Sequence, residues 1–102
     1  MTNQPYAYDL DEDQIRRERR KARDIRQTQW WKRRLAKGLC HYCHRQTPAA
    51  ELTMDHIVPV ARGGRSTRGN LVAACKTCNN QKKQLLPMEW QEYLAGFEPA
   101  KF

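Results

Sequence analysis

The four cysteines of this chain are arranged as two pairs with the spacing of metal ligands. Cys40 and Cys43 form one Cys-x-x-Cys pair, and Cys75 and Cys78 form the other. Two such pairs supply four thiolates, which is a common ligand set of a tetrahedral structural zinc ion. The alternative, four free or disulfide-bonded cysteines, gives no reason for the paired spacing. The pattern therefore predicts a closed zinc site, which leaves no position for water or substrate.

A second group of polar residues lies between the cysteine pairs and just after them. Asp55 and His56 are adjacent, Asn70 follows a glycine-containing loop, and Asn79 comes directly after the second pair. Phosphodiester hydrolysis needs an activated water and stabilisation of the charge on the phosphate. The imidazole of His56 can take the proton of that water, because its ordinary pKa lies near about 6.5. An Asp-His pair by itself also fits a salt-linked structural pair, so the hydrolytic interpretation depends on the whole set.

Taken together, these motifs resemble those of the HNH endonuclease family. The shared features are an Asp-His pair, a loop containing Gly, an Asn-Leu pair, and a second Cys-x-x-Cys pair followed by Asn, with Lys three residues further on. The resemblance runs from about residue 39 to residue 83. The third signature residue of the family is often His, and here it is Asn79. The resemblance implies an α+β fold, the ββα-metal unit, in which a hairpin and a helix hold a catalytic cation between them.

The resemblance also implies a role for each polar residue. Asp55 and Asn79 would be the two protein ligands of the catalytic cation, and His56 would be the general base. Oxygen ligands suit Mg²⁺ or Mn²⁺, with Ni²⁺ or Co²⁺ as substitutes, and about four of six positions would stay open. Asn70 would tie the loop after the first strand and so orient His56, although a simple turn Asn is the alternative. Lys82 would contact a phosphate.

These residues need a scaffold, and the sequence predicts its elements. Residues 10–37 lack Gly and Pro and favour one long basic helix that ends at Gly38. Residues 52–60 favour a strand, and residues 71–74 favour a short strand or the lead-in of a helix. Residues 76–86 favour a helix, and Pro87 suits the start of a short C-terminal helix over residues 88–94. Adjacent strand residues point to opposite faces. Asp55 and His56 can therefore share a cleft only if the strand ends or twists there.

We expect residues 1–102 to form a single nuclease domain. Its parts would be a flexible lead-in and basic helix (1–37), the zinc knuckles and ββα-metal core (38–86), and a C-terminal helix and tail (87–102). A chain of 102 residues with 39% hydrophobic residues has only a marginal apolar core. A bound metal is the expected additional source of stability.

The charge of the chain indicates a polyanionic partner. Lys and Arg number 19 against 11 Asp and Glu, which gives a net charge of +8. No apolar run reaches the roughly 18–20 residues of a membrane span, and the N-terminus does not have the pattern of a secretory signal. We therefore expect a cytoplasmic protein that binds DNA, in double-stranded form, and no membrane. The expected DNA contacts are Arg16, Arg17, Arg19, Arg20, Arg23, Arg62, Arg65 and Lys83. The alternative for the basic helix is a solvated surface helix held by ion pairs along its length.

The sequence thus predicts a metal-dependent endonuclease that nicks one DNA strand per site, as a monomer rather than a dimer. Its sequence specificity is expected to be low, because contacts of Arg and Lys to phosphate carry little base information. Two alternatives remain open. One is a non-catalytic zinc-knuckle module that binds DNA, which would have no use for Asp55, His56 and Asn79 together. The other is an RNA-directed enzyme or a subunit that works inside a larger assembly.

Overall fold

The computed structural model describes residues 11–96, so the expected lead-in, residues 1–10, and the end of the expected tail, residues 97–102, lie outside the described residues. The elements in chain order are helices α1 (Glu12–Ile25) and α2 (Gln29–Ala36), strands β1 (Leu52–His56) and β2 (Leu71–Cys75), and helices α3 (Lys76–Lys82) and α4 (Pro87–Ala95). Short 3-10 turns lie at Ala49–Glu51, Val60–Arg62 and Arg68–Asn70. The predicted α+β class, with a hairpin followed by a helix, is confirmed.

The two strands form an antiparallel pair whose register places both halves of the site. Leu52 pairs with Cys75 at one end and His56 pairs with Leu71 at the other. β2 runs directly into α3, because the Cys75 side chain accepts a hydrogen bond from the backbone N–H of Cys78 and caps the helix. β1 is shorter than predicted and ends at His56. After Pro59, which has no N–H for a strand ladder, the chain turns into a 3-10 turn.

The single helix predicted over residues 10–37 is wrong, because the structure has two helices there. α1 ends at Ile25, and α2 begins after Thr28. The hydroxyl of Thr28 donates to the carbonyl oxygen of Ile25 at 2.6 Å and accepts from the N–H of Trp31 at 3.3 Å. The residues around Thr28 favour a helix by composition. The Thr28 side chain nevertheless forms hydrogen bonds with backbone groups that a continuous helix would use for its own backbone hydrogen bonds. α2 then ends before Gly38, whose φ of +67° fits the predicted glycine cap.

The core lies between α2, the hairpin and α3. It consists of Trp31, Cys40, Leu52, Ala73, Ala74, Cys75 and Cys78. All five residues of β2 are buried, and Cys40, Cys75 and Cys78 are buried with them, whereas Cys43 is exposed. α4 packs through Trp90, whereas Met88 is 73% exposed and contributes little. Within residues 11–96, no helix combines the length and the apolar character that crossing a bilayer requires.

Candidate functional site

The four cysteine sulfurs form one cluster of the size that a metal ion requires. All four Sγ atoms lie within 4.8 Å of one another, and those of Cys43 and Cys75 are 4.0 Å apart. A tetrahedral ion with metal–sulfur bonds of about 2.3 Å needs sulfurs about 3.8 Å apart. A disulfide would need about 2.05 Å. The cluster therefore fits a four-thiolate metal site, as the spacing in the sequence predicted.

Backbone amides point at these sulfurs and favour the thiolate form. The N–H groups of Tyr42 and Cys43 donate to Sγ of Cys40 at 3.4 and 3.5 Å, and the N–H of Cys78 donates to Sγ of Cys75 at 3.4 Å. Burial raises the pKa of the Cys40 thiol, but the amide hydrogen bonds outweigh it and lower that pKa to about 7. Burial raises the pKa of Cys78, and a cation bound among the sulfurs would favour its thiolate form.

One face of β1 contacts α3. Thr53 and Asp55 lie on that face because they are two residues apart in the strand. The amide Nδ2 of Asn79 donates to Oγ1 of Thr53 at 2.7 Å, and Nζ of Lys82 lies 3.2 Å from Oδ2 of Asp55. Asn79 and Lys82 share one side of α3. The structure therefore brings the Asp55 carboxylate and the Asn79 amide to the same interface between strand and helix.

The position of Lys82 differs from the one expected for a phosphate contact. Its side chain is fully buried. Its ammonium group contacts Oδ2 of Asp55 and donates to the backbone oxygen of His56 at 3.1 Å. Helical spacing placed Lys82 beside Asn79 correctly, but this side of α3 faces the interior rather than the surface. Lys82 offsets the charge of Asp55 here, and the neighbouring exposed Lys83 lines the surface groove described below.

Tyr42 is a site residue that sequence reasoning missed. Its hydroxyl donates to Oδ2 of Asp55 at 2.5 Å. Burial, and then the neighbouring carboxylate, raise the pKa of Tyr42 well above its ordinary value, so that it remains a donor. A tyrosine between the two cysteines of a Cys-x-x-Cys pair gives no such signal by itself. Oδ2 of Asp55 is thus held by Tyr42 and Lys82, which leaves Oδ1 as the oxygen that can bind a cation.

The ring of His56 is half-buried and held in one orientation. Its Nε2 lies 2.9 Å from Oγ of Ser66, and that hydroxyl donates to the backbone oxygen of Glu18 at 2.5 Å. A serine hydroxyl has one proton, so Nε2 must be the donor to Oγ and Nδ1 must be the free acceptor. Burial lowers the pKa of His56, while the adjacent Asp55 acts in the opposite direction. The ring is therefore neutral near pH 7, with Nδ1 able to take a proton.

Asn70 joins the segment after His56 to the following loop. Its Oδ1 accepts from the N–H of Val58 at 2.9 Å, and its Nδ2 donates to the backbone oxygens of Val58 and Arg65 at 3.0 and 2.8 Å. Gly64 also lies against this segment, where an added Cβ would be 1.7 Å from the Val58 oxygen. The loop can approach so closely only because residue 64 has no side chain.

An open groove of about 400 Å³ lies between α1 and the end of β1. Asp55 and His56 both line it. Adjacent residues within a strand point to opposite faces, but β1 ends at His56, so the two side chains can reach the same groove. Asn79 is not part of this lining and lies on the α3 side of Asp55. The basic residues that line the groove are Arg19, Arg23, Arg26 and Lys83. Arg26 was missed, although it continues the helical spacing of Arg19 and Arg23.

The other expected DNA contacts lie outside the groove lining. Arg16 pairs with Asp13 on the surface of α1. Arg62 binds both carboxylate oxygens of Glu89 at 3.2 Å. The remaining three are Arg17 and Arg20, which are exposed on α1, and Arg65, whose guanidinium lies 3.8 Å from Oε2 of Glu18.

The comparisons with known proteins identify the family of this chain. Residues 40–94 match the HNH endonuclease family. The chain is 48% identical over 44 residues to the CRISPR-associated endonuclease Cas9 of Corynebacterium diphtheriae, which is 42% of this chain and 4% of that protein. It is 39% identical over 54 residues to the CRISPR-associated endonuclease Cas9 of Actinomyces naeslundii, which is 52% of this chain and 5% of that protein. The chain therefore spans only a small part of the length of these relatives. Because the family match covers more than half of the chain, the protein belongs to the HNH endonuclease family.

Proposed function

We propose that this chain is a metal-dependent endonuclease that hydrolyses DNA phosphodiester bonds, with His56 as the general base. The observation that carries the proposal is the groove, which is lined by His56, by Asp55 and by basic side chains of α1. Such a groove offers a base, a carboxylate for a cation and positive charge for the phosphates of a polyanion. A module that only binds DNA needs the positive charge but not the other two.

In the proposed reaction, Nδ1 of His56 takes a proton from a water molecule, whose oxygen attacks the phosphorus. A bond forms between that oxygen and phosphorus, the bond from phosphorus to the 3′-oxygen breaks, and the leaving oxygen takes a proton from solvent. The hydrogen bond of Nε2 to Ser66 supports this assignment, because it leaves Nδ1 as the acceptor. General-base catalysis of this kind contributes about 10²–10⁴-fold in rate.

The catalytic cation would be held by Asp55 and Asn79. Oδ2 of Asp55 accepts from Tyr42 and Lys82, and Nδ2 of Asn79 donates to Thr53, so one oxygen of each side chain is left for an ion. These are hard ligands that suit Mg²⁺ or Mn²⁺, with Ni²⁺ or Co²⁺ as substitutes. When bound, such an ion stabilises charge on the phosphate and the leaving oxygen. The thiolate cluster is a softer, closed site that suits structural Zn²⁺.

The substrate that fits this surface best is double-stranded DNA. Arg19, Arg23 and Arg26 follow one side of α1 along the groove, so they would bind successive phosphates rather than base edges. Contacts of this kind position a duplex without reading its sequence. One HNH site cuts one strand, and we therefore propose that a monomer nicks DNA with low sequence specificity. The relatives that resemble this chain are Cas9 endonucleases, which also supports a nuclease.

The test is relaxation of a supercoiled plasmid by protein that has been loaded with zinc and freed of all other divalent metals. Mg²⁺, Mn²⁺, Ni²⁺ and Co²⁺ are then added in separate reactions. We expect nicked circles before linear product, and a rate that falls by about 10²–10⁴-fold in His56→Ala. The matched control is His41→Ala, which removes an exposed histidine outside the groove and should leave the rate and the zinc content unchanged. A wild-type rate in His56→Ala would refute the base assignment.

The same assay separates the alternatives. DNA binding without cleavage under every metal would favour the non-catalytic zinc-knuckle module. Faster cleavage of an RNA of matched length than of DNA would favour an RNA-directed enzyme. A nuclease would use Asp55, His56 and the groove arginines together, and this supports our expectation of metal-dependent cleavage of DNA.

A further inference from the structure

Glu18 is a buried carboxylate on a helix that is rich in exposed arginines. Its residue is only 2% exposed, although Arg17, Arg19 and Arg20 surround it in the sequence. An ionised carboxylate is buried only where other groups compensate its charge and hydrogen-bonding capacity. The contacts that compensate Glu18 therefore indicate why α1 lies where it does.

These contacts are made with the loop between the two strands. Oε1 of Glu18 accepts from the N–H of Ser66 at 2.7 Å, and its backbone oxygen accepts from the Ser66 hydroxyl at 2.5 Å. Oε2 lies 3.1 Å from Nζ of Lys21 and 3.8 Å from Arg65. The hydrogen bond from the Ser66 backbone is the main reason that the pKa of Glu18 is lowered, so the side chain stays ionised. Two hydrogen bonds thus attach Ser66 to one residue of α1.

Ser66 in turn contacts the proposed base. Its hydroxyl lies 2.9 Å from Nε2 of His56, and Ser66 is itself 5% exposed. Because the proton of the hydroxyl is directed to the Glu18 backbone, only a lone pair of Oγ faces the ring. We propose that Glu18 and Ser66 are positioning residues, which hold His56 with Nε2 protonated and Nδ1 free toward the groove.

This inference rests on the proposed function of His56 and goes beyond the ββα unit. The family match covers residues 40–94, and Glu18 lies outside it, so α1 supplies a part of the site that the matched segment lacks. A ring with Nδ1 protonated, or turned away from the groove, has no acceptor for the proton of the attacking water. The positioning residues therefore act on the rate of the chemical step rather than on DNA affinity.

The first test is cleavage under single-turnover conditions with DNA at saturation. Ser66→Ala should lower the rate constant at least 10-fold, and by no more than the roughly 10²–10⁴-fold that a general base contributes, while the Kd for DNA changes less than twofold. The matched control is Thr67→Ala, which removes an exposed hydroxyl next in the chain and should cleave at the wild-type rate. A Ser66→Ala rate within twofold of wild type, with His56→Ala inactive, would overturn the inference.

The second test concerns Glu18 and needs no change at Ser66. Glu18→Gln retains an oxygen that accepts from the Ser66 N–H and should keep most of the single-turnover rate. Glu18→Ala removes that acceptor and should lose rate as Ser66→Ala does. If Glu18→Ala cleaves as fast as Glu18→Gln and the wild type, the acceptor is not needed, and the inference fails.

The third test is a spectroscopic readout that does not depend on activity. ¹⁵N NMR of the histidine rings in the zinc-loaded protein, about two pH units above the ordinary imidazole pKa, should show His56 as the Nε2–H tautomer with a proton protected from exchange. The His56→Ala spectrum assigns the signal. Protonation at Nδ1 would overturn the inference even if cleavage is observed. The expected tautomer in a chain that cuts neither DNA nor RNA would instead support the positioning of His56 by Glu18 and Ser66 and refute only the proposed function.

Discussion

Replacement of Lys82 by Met removes a positive charge from the interior while it keeps most of the side-chain volume. Nζ of Lys82 lies 3.2 Å from Oδ2 of Asp55, and the two side chains are 0% and 9% exposed. The ammonium group also lies 5.7 Å from the centre of the Tyr42 ring. In Lys82→Met, the Asp55 carboxylate stays buried and keeps only the hydrogen bond from Tyr42.

The expected cost follows from this burial. Removal of one partner of a buried ion pair costs about 3–5 kcal/mol, because the other charge is left uncompensated. Met fills the space of the aliphatic chain, so a cavity adds little. The remaining Tyr42 hydrogen bond places the expected loss near the lower limit, at about 3 kcal/mol. For a domain of this size, that loss lowers the Tm by roughly 12–24 °C.

The assay is urea unfolding of the zinc-loaded protein without other divalent ions. The matched control is Lys83→Met, which makes the same change one residue further at an exposed position and should alter the free energy of unfolding by less than about 0.5 kcal/mol. The double variant Asp55→Asn/Lys82→Met should be more stable than Lys82→Met alone, because no buried charge is left. If Lys82→Met and Lys83→Met unfold at the same urea concentration, Lys82 is not buried against Asp55.

Two further predictions concern the groove and the loop beside it. Arg19→Gln/Arg23→Gln should lower the slope of log K against log salt for duplex DNA by about 1.8, because each phosphate contact contributes about 0.9. Arg17→Gln/Arg20→Gln, which changes arginines outside the groove lining, should lower that slope by less, and equal effects would place the DNA elsewhere on α1. Gly64→Ala should reduce the free energy of unfolding by about 1–3 kcal/mol or more, because the new Cβ would lie 1.7 Å from the backbone oxygen of Val58. A thermal melt at the wild-type temperature would show that the loop can lie further from β1.

The parts of the site that sequence could predict are those fixed by short-range spacing. The two Cys-x-x-Cys pairs specified the sulfur cluster, and Asn79 follows Cys78 directly, so its place in α3 is set by the same cluster. The adjacency of Asp55 and His56 likewise required the strand to end, and β1 ends there. Each of these features is set by neighbouring residues in the sequence or by a shared metal site. Both can be inferred from residue types and their spacing.

The orientation of helices was harder to predict. Spacing predicted that Lys82 lies beside Asn79, but it did not predict whether that side of α3 faces solvent. The exposure of that side depends on Tyr42 and Trp90, which pack nearby. The break at Thr28 was hidden because its neighbours favour a helix, and a capping threonine is a weak signal within such a segment.

Glu18 had a signal that could have been found. Ile15, Glu18, Ala22 and Ile25 follow the helical spacing of one buried face, and Glu18 occupies a position where an apolar residue is expected. A charged residue in an apolar stripe indicates a buried partner, yet the partner Ser66 lies 48 residues away. No local pattern could identify it, because only the tertiary contact between α1 and the loop brings the two together.

The two sides of β1 are held by different contacts, and Lys82 touches both Asp55 and the backbone oxygen of His56. On the α3 side, the sulfur-bound metal would fix the start of the helix that carries Asn79, and Lys82 compensates the charge of Asp55. On the α1 side, Glu18 and Ser66 fix the ring of His56. Because the hydrogen bonds of Glu18 and Ser66 do not include a cysteine, a change at Ser66 should leave a bound metal in place, whereas loss of a cysteine should disturb both sides through the common core. The ligand side and the base side of the site can thus be separated by point variants.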